Sequence, residues 1–582
     1  MSSVSGKTFD MALLKRVMKY VIPYRGTFYS TSLFAILLAF LSPARPVLIQ
    51  YAFDNYILTP NIDMLLQVTL LLVILLVIES VMQFFYIYWA NWLGQSVVRD
   101  LRMEVYNHIL NFKQKHFDNT PIGTLVTRVV SDIETIADIF SQGLLVIIGD
   151  ILKLLVVLTV MFVTDWKLTL FSLASIPILL VATYWFKRSI KSAFQEVRTQ
   201  VSALNTFVQE RIVGMQIVQL FNREEVEFEK FKGINDLHKK AHVRSIWYYS
   251  IFFPIVEILS AISIGLLIWW GGMQAATGTE VTLGELVAFI LYIHMLFRPI
   301  RQLADRFNIL QMGMVASERV FKVLDRDEVI ENNGVKILEN LKGDIEFKNV
   351  WFSYNEEDWV LRDLSFKIEA GKTLALVGAT GAGKSSIINL LSRNYDHNKG
   401  EVLIDGESYL DYDLHSLRSN MSVVLQDVFL FSDSILNNIT LKNNIPLEQV
   451  REYAKQIGIH DFIESLPGGY QYNVKERGVM LSVGQRQLLS FLRAYVNNPR
   501  ILILDEATSS IDSETEQLIQ SAIEKLTKGR TSIVIAHRLA TIQKADKILL
   551  LENGKILEEG THLELMKKGG QYKTLFDLQF QE

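Results

Sequence analysis

Eight consecutive residues, Gly378-Ala379-Thr380-Gly381-Ala382-Gly383-Lys384-Ser385, combine a glycine-rich run with one lysine and one hydroxyl. They fit the phosphate-binding pattern GxxxxGK[ST]. The apolar stretch 374–377 before them reads as a strand, and 386–391 after them reads as a helix. Glycines let the backbone curl so that successive N–H groups face phosphate oxygens, and the helix N-terminus adds a favourable dipole. Lys384 is expected to reach the γ-phosphate and Ser385 to ligate Mg²⁺. Ser386, opening the helix, stands beside them as a nucleotide contact. A second pattern, Ile501-Leu502-Ile503-Leu504-Asp505-Glu506, is four apolar residues followed by two carboxylates. Such a run suits a central parallel strand covered on both faces. Asp505 would hold Mg²⁺ through water, and Glu506 would orient and polarise an attacking water. The ordinary use of such a pair is to cap a helix; a phosphate loop in the same domain favours the catalytic use.

These groups must be positioned by something larger. The chain has 582 residues, too many for one hydrophobic core. Half of them are hydrophobic, and the mean hydropathy is +0.22. Apolar stretches of membrane-crossing length account for this. Six are read, roughly 28–52, 64–88, 140–163, 168–186, 246–270 and 283–303. Pro43, Arg45 and Pro46 predict an irregular far end for the first. After residues 319–343 the pattern changes to short Val/Ile/Leu strands alternating with amphipathic helices and glycine turns, which is that of an α/β domain. The fold class expected is therefore multi-domain: an all-α six-span transmembrane domain (1–320), a linker (321–343) and an α/β P-loop nucleotide-binding domain (344–582).

Basic residues set the expected orientation. Lys15, Arg16, Lys19 and Arg25 precede the first span; Arg99, Arg102, Lys113 and Lys115 follow the second; Lys187, Arg188, Lys191 and Arg198 follow the fourth. The connections 54–63 and 271–282 carry no Lys or Arg. By the positive-inside rule both termini lie in the cytoplasm of a multi-pass cell-membrane protein. Residues 96–112 and 189–221 lack proline and show apolar residues at helical spacing, so the spans are expected to continue as rods that reach the nucleotide-binding domain. The amphipathic segment 11–24 would lie along the inner interface. A net charge of −4 and a pI near 6.3 argue against a nucleic-acid partner. The absence of cysteine excludes disulfides, thiolate catalysis and cysteine-ligated metals. The polar start shows no cleavable signal-peptide pattern.

The order Tyr354, the phosphate loop, Gln426, Leu481-Ser482-Val483-Gly484-Gln485, the Asp505-Glu506 strand, Ser509-Ser510-Ile511-Asp512 and His537 resembles the nucleotide-binding domain of ATP-binding cassette (ABC) transporters. With the six spans, nearly the whole chain resembles an exporter-type (type IV) half-transporter, as in bacterial multidrug and lipid A exporters. The resemblance implies ATP and Mg²⁺ as cofactors, Tyr354 stacking on adenine, and Gln426 sensing Mg²⁺ and the membrane domain. It implies that Ser482, Gly484 and Gln485 of the signature meet the nucleotide held by a second half-transporter, identical or homologous. Asp512 falls in the dimer-contact loop, and His537 is the switch that bonds the γ-phosphate. Glu506, His537 and Gln426 form the catalytic set; Ser385, Gln426 and Asp505 form the metal set. Glu476 matches the loop before the signature, and 117–123 resembles the first coupling region, with 207–221 where the second is expected. The signature departs from LSGGQ at Val483, which puts pairing with an identical chain in question.

The same resemblance implies hydrolysis-driven alternating access. Two rivals are a soluble ABC ATPase of DNA repair or translation, against which the spans stand, and an ATP-regulated channel, against which Glu506 stands. The substrate expected is a small hydrophobic or amphipathic compound, a drug, lipid or peptide. The aromatics Phe84, Phe85, Tyr86, Tyr88, Trp89, Trp247, Tyr248, Tyr249, Phe252 and Phe253 would line its cavity or form an interfacial belt. Asp150 and Lys153, three apart on one helix, are read as neutralising each other. Glu257 is read as facing a polar cavity or another helix.

Overall fold

The computed structural model describes residues 11–58, 60–277, 281–355, 358–441, 443–505, 513–536 and 538–580. The chain forms two compact units, one of residues 1–110 and 122–326, the other of residues 111–121 and 327–582.

In the first unit, six helices are long and apolar enough to cross a membrane: Ile22–Ile57, Ile62–Leu110, Ile122–Thr164, Trp166–Val213, Glu224–Ala276 and Leu283–Leu324. They run well past the apolar stretches, as the uninterrupted helical spacing predicts; Ile62–Leu110 alone would extend about 74 Å at ~1.5 Å per residue. Helix Ile176–Val213 stops at Gly214, and a short helix, Met215–Leu220, turns the chain toward Glu224. The first span breaks where its prolines predict. Helix Arg25–Leu41 ends before Ser42-Pro43, helix Ala44–Ala52 resumes, and a wide turn follows in which the Leu58 N–H bonds the Phe53 carbonyl at 3.2 Å.

The fourth and fifth helices pair along their length. Phe186 stacks on Phe252 with ring centroids 4.0 Å apart, and the buried Ser175 and Ser263 hydroxyls bond at 2.6 Å. Small polar groups that satisfy each other between apolar helices are a recurrent membrane packing device. A core of Val157, Leu179, Phe252, Val256, Phe289 and Tyr292 binds this pair to the third and sixth helices. The segment read as amphipathic forms a helix, Met11–Lys19, that buries Leu14 and Val17. It is held to the end of the sixth helix by Arg16, whose guanidinium bonds both Asp325 oxygens at 2.7 Å and lies 4.1 Å from the Phe321 ring centre.

In the second unit the described residues form two sheets. Strands β1 (Ile345–Ser353), β2 (Trp359–Ile368), β4 (Lys399–Ile404) and β5 (Glu407–Ser408) make an antiparallel sheet in the order β2-β1-β4-β5. The second sheet runs β10-β9-β3-β8-β7-β6, with β3 (Thr373–Val377), β6 (Met421–Val424), β7 (Ile501–Asp505), β8 (Thr531–Ile535), β9 (Lys547–Glu552) and β10 (Lys555–Gly560). Its interior pairs, β9 with β3, β3 with β8, β8 with β7 and β7 with β6, are all parallel. Every residue of β8 and the first four of β7 are buried, which is why these strands read as unbroken apolar runs. Helices between β6 and β7, among them Leu447–Ile457 and Val483–Val496, pack into the same core through Val450, Ala454, Leu488 and Leu492.

The segment expected to be a linker, 321–343, divides between the units. Its start continues the sixth helix to Leu324, and the rest runs along the cassette: the Val335 N–H bonds the Asp411 carbonyl at 3.1 Å, and Gly334 leaves no room for a Cβ beside Tyr412.

Candidate nucleotide site and its coupling segment

The parallel strands bring the chemistry-bearing residues to one edge. Leu376 of β3, Ile535 of β8 and Asp505 of β7 share one row, and Val424 of β6 pairs with Leu504 beside it. The C-terminal ends of the strands therefore open together, the usual place for a ligand in such sheets. The phosphate loop leaves β3 there. Its glycines adopt left-handed backbone, Gly378 at φ 150°, Gly381 at 83° and Gly383 at 101°. A Cβ on Gly378 would stand 2.2 Å from the Leu551 carbonyl oxygen, so glycine is required by sterics as well as by dihedral angle.

Helix Lys384–Leu391 begins directly after Gly383. Lys384 is only 8% exposed, and its ammonium donates to the Gly378 and Ala379 carbonyls at 2.7 and 3.0 Å. Burial pushes its pKa below the ordinary lysine value, while the Asp505 carboxylate pulls it back. Ser385 is exposed on the opening, and Ser386 is buried with its hydroxyl 3.1 Å from that of Tyr354. The Tyr354 hydroxyl also accepts from Asn389 at 3.2 Å, and its ring meets Phe352 and Tyr395 edge-on. Gln426 is exposed two residues beyond the end of β6, on the same edge as Asp505.

Among the described residues no group of three or more His, Cys, Asp or Glu could hold a metal by itself. Ser385, Asp505 and Gln426 offer oxygen donors only, and Mg²⁺ characteristically combines a few such ligands with water and substrate phosphates. The residues thus fit a cation that arrives with the nucleotide. Glu506, Asp512 and His537 lie outside the described residues.

The signature stands at the start of a helix. Ser482 caps Val483–Val496: its hydroxyl accepts from the Gln485 N–H at 3.2 Å, and the Gln485 side chain accepts from the Ser482 N–H at 2.9 Å. Val483 is the first helical residue, so its backbone is one any L-residue adopts, and its side chain is 51% exposed. Gly484 is buried. Glu476, ahead of the signature, is exposed in a tight turn in which Lys475 and Arg477 take positive φ, 60° and 52°.

Sequence reasoning missed the way residues 111–121, between the second and third spans, join the cassette unit. Phe112 is buried and pairs with Val329 as an isolated bridge; the Lys113 N–H bonds the Glu328 carbonyl at 2.8 Å, and the Ile330 N–H bonds the Asn111 carbonyl at 2.7 Å. The buried His116 ring meets Glu328 at 2.5 Å, and Lys113 reaches Glu331 at 3.3 Å and Asp396 at 3.6 Å. The Tyr395 hydroxyl donates to the Asp118 carboxylate. Tyr395 in turn lies 4.9 Å, centroid to centroid, from Tyr354. Only Asp118 of this set falls in the stretch expected to couple, because partners 277 residues apart leave no local pattern.

In the membrane unit Asp150 and Lys153 interact electrostatically, as their spacing suggests, but among the described residues they form no ion pair within 4.0 Å; both line one cavity together with charges from other helices. Glu257 is exposed and is not part of that lining. Of the aromatic group, Tyr86 lines the cavity, whereas Phe84, Phe85, Tyr88, Trp247 and Phe253 are exposed.

Comparison with known proteins agrees with this architecture. Residues 30–300 match the ABC transporter transmembrane region, and residues 361–509 match the ABC transporter family. The chain is 38% identical over 578 residues to the uncharacterized ABC transporter ATP-binding protein YknV of Bacillus subtilis, covering 99% of this chain and 96% of that one. YgaD of B. subtilis, whose name assigns it provisionally to multidrug export as an ATP-binding/permease protein, is 35% identical, with 98% and 100% covered. A Staphylococcus aureus protein of the same provisional description is 36% identical, with 97% and 100% covered. Six spanning helices and one cassette in a single polypeptide, matched end to end by such relatives, place this chain in the ABC transporter family as an exporter-type half-transporter.

Proposed function

We propose that two half-transporters of this kind, each with its own cassette, use ATP to move an amphipathic compound across the cell membrane by alternating access, with both termini in the cytoplasm. The observation that carries this reading is the placement of residues 111–121, which leave the second span, enter the cassette unit and return to the third. In this reading such a segment carries a change in the cassette to the two spans that it joins.

In this reading the phosphate loop of one chain and the signature of its partner hold ATP between them. Lys384 exchanges two backbone carbonyls for phosphate oxygens, and Ser482 and the Gly484 N–H approach from the other side. Bound Mg²⁺ would neutralise phosphate charge, with Ser385, Asp505 and Gln426 as its protein partners. Tyr354 offers an aromatic face to adenine. Glu506 orients the attacking water, His537 bonds the γ-phosphate, and Asp512 faces the partner cassette. ATP binding stabilises the closed pair, and hydrolysis releases it, so the cycle runs on the differential affinity of two states for nucleotide. Names given to YgaD and the S. aureus protein point to drugs as one substrate class.

The test is ATPase activity of the purified full-length chain in lipid nanodiscs. Glu506→Gln is expected to retain ATP binding and to lose turnover by about 100-fold or more, within the range that removing one catalytic group costs. Near-normal turnover in that variant would remove Glu506 from its assigned role.

A further inference from the structure

The first, second, third and sixth spans line an open cavity of about 630 Å³, within the range of small-molecule sites. Its lining is not that of a pocket for hydrocarbon alone. Arg45, Lys153, Arg298 and Arg306 face Glu79 and Asp150, so among the described residues four cations meet two carboxylates. Arg45 and Glu79 pair at 3.6 Å. Among the described residues neither Lys153 nor Arg298 forms an ion pair within 4.0 Å; both share the longer-range field of Asp150, and Lys153 that of Glu79 as well. His294 adds a further ring that can donate.

Depth makes this expensive. Arg45, Glu79, Lys153 and Arg298 lie about 11 to 17 residues from the helix ends Ile57, Ile62, Thr164 and Leu283, roughly 17 to 26 Å at ~1.5 Å per residue. A hydrocarbon core is about 30 Å thick. Unpaired charge at that depth costs about 3 kcal/mol or more unless it faces water or a counter-charge. Four separate helices contribute these groups, so snorkelling from one helix does not explain their convergence. Between the charges stand Leu38, Leu76, Val146 and Met295. A cationic surplus with apolar walls complements a molecule with a negative head and an apolar tail.

The geometry points to an amphipathic anion, carrying a carboxylate or phosphate on an apolar body, as the substrate class of this cavity. This rests on the exporter reading above and narrows its substrate. The anion's head sits between Lys153 and Arg298, and its tail lies along the apolar walls. Glu79 holds Arg45 and opposes the head, setting an upper bound on affinity so that the substrate can leave.

The experiment uses the full-length chain in phosphatidylcholine nanodiscs without nucleotide, with empty nanodiscs as the partition control. Three fluorescent probes share one dansyl-undecyl body and end in a carboxylate, a carboxamide or an ammonium. The carboxylate is expected to half-saturate at a concentration at least tenfold below the carboxamide, with the ammonium weakest. Lys153→Gln and Arg298→Gln are each expected to weaken the carboxylate about tenfold and leave the carboxamide unchanged; Glu79→Gln is expected to tighten the carboxylate. Equal affinities for all three heads in the wild-type protein, or a preference for the ammonium, would overturn the proposal whether or not any variant folds. Displacement of the probe by phosphatidylglycerol built into the nanodisc identifies a lipid headgroup as the source of the anion. Displacement only by added dodecyl phosphate identifies a soluble amphiphile. Glu506-dependent ATPase is measured on the same samples: its absence removes turnover by this chain without a different partner and leaves the order of heads to stand, whereas turnover without any preference among heads sinks this inference alone.

Discussion

Lys384 stands under two opposed demands. Burial disfavours its charge, and the loop answers by curling two carbonyls onto the ammonium, at 2.7 and 3.0 Å. Those carbonyls are neutral acceptors; phosphate oxygens are charged ones and bind an ammonium more strongly. Nucleotide binding therefore raises the Lys384 pKa back toward its ordinary value. Lys384→Ala removes charge-assisted bonds of about 1.5–3 kcal/mol, so ATP affinity is expected to fall about 10- to 100-fold, measured by titrating a fluorescent ATP analogue; unchanged affinity would deny the lysine its role. Val483 invites the opposite prediction. Its backbone is helical, its side chain points outward, and the Ser482–Gln485 cap is intact beside it. Val483→Gly should leave the ATPase of the chain within about twofold, since helix-propensity cost at a first helical position stays below ~1 kcal/mol. A rise of tenfold would mean that the branched side chain obstructs the nucleotide sandwich. Both residues also mark how legible the site was. The glycine spacing of 378–385 announced its own dihedral requirements, and these appear as φ 150°, 83° and 101°. Valine in place of the signature's first glycine put pairing with an identical chain in question, and the helix start at Val483 shows a backbone that any L-residue adopts.

At the scale of elements, the strand–loop–helix unit around β3 and the six long helices follow from local pattern, apolar runs for buried strands and uninterrupted helical spacing for the spans. What joins residues 111–121 to the cassette does not. Phe112, His116 and Asp118 find Val329, Glu328 and Tyr395, which lie more than 200 residues away. The charged cavity was legible only in part: Arg45, Asp150 and Lys153 stand out as charges within spans, where charge is costly, but only tertiary packing brings them together with Glu79 and Arg298. The contact of Asp118 with Tyr395 has a consequence. Tyr395 touches Tyr354, and Tyr354 is tied to Ser386 in the first turn after the phosphate loop. Burial first, and then the hydrogen bond to Asp118, raise the Tyr395 pKa, so the hydroxyl stays protonated and donating across the physiological range. Tyr395→Phe deletes this bond and preserves the ring. If the segment couples nucleotide to transport, the variant is expected to lose transport on the order of tenfold, the factor that about 1.4 kcal/mol gives, while its ATPase falls far less. Parallel assays in proteoliposomes check this; equal losses in both activities would make the bond a fold contact only.

For the whole molecule the open question is what completes it. In the proposed sandwich the phosphate loop of one cassette meets the signature of another, which stands at the start of its own helix, Val483–Val496, in the connection between β6 and β7. On that reading two chains make one working site. An identical partner would supply LSVGQ to both sites; a homologous one could supply a different signature to the site formed by Lys384 and Glu506. The conformation of Ser482 and Val483 is compatible with an identical partner: the capping hydroxyl is exposed, the backbone is unstrained, and no feature of the described signature prevents its use. The chain alone, in nanodiscs holding two copies, is thus expected to hydrolyse Mg²⁺-ATP at about 1 s⁻¹ or faster, the lower end of ordinary enzyme turnover. The rate should depend on Glu506 and on Ser482 alike, and mixing Glu506→Gln with Ser482→Ala chains should restore part of the activity that each lacks alone, since one of the two sites in that mixed pair carries both intact groups. Nucleotide binding without turnover, unrelieved by Val483→Gly, would instead require a second, different half-transporter whose signature completes the site.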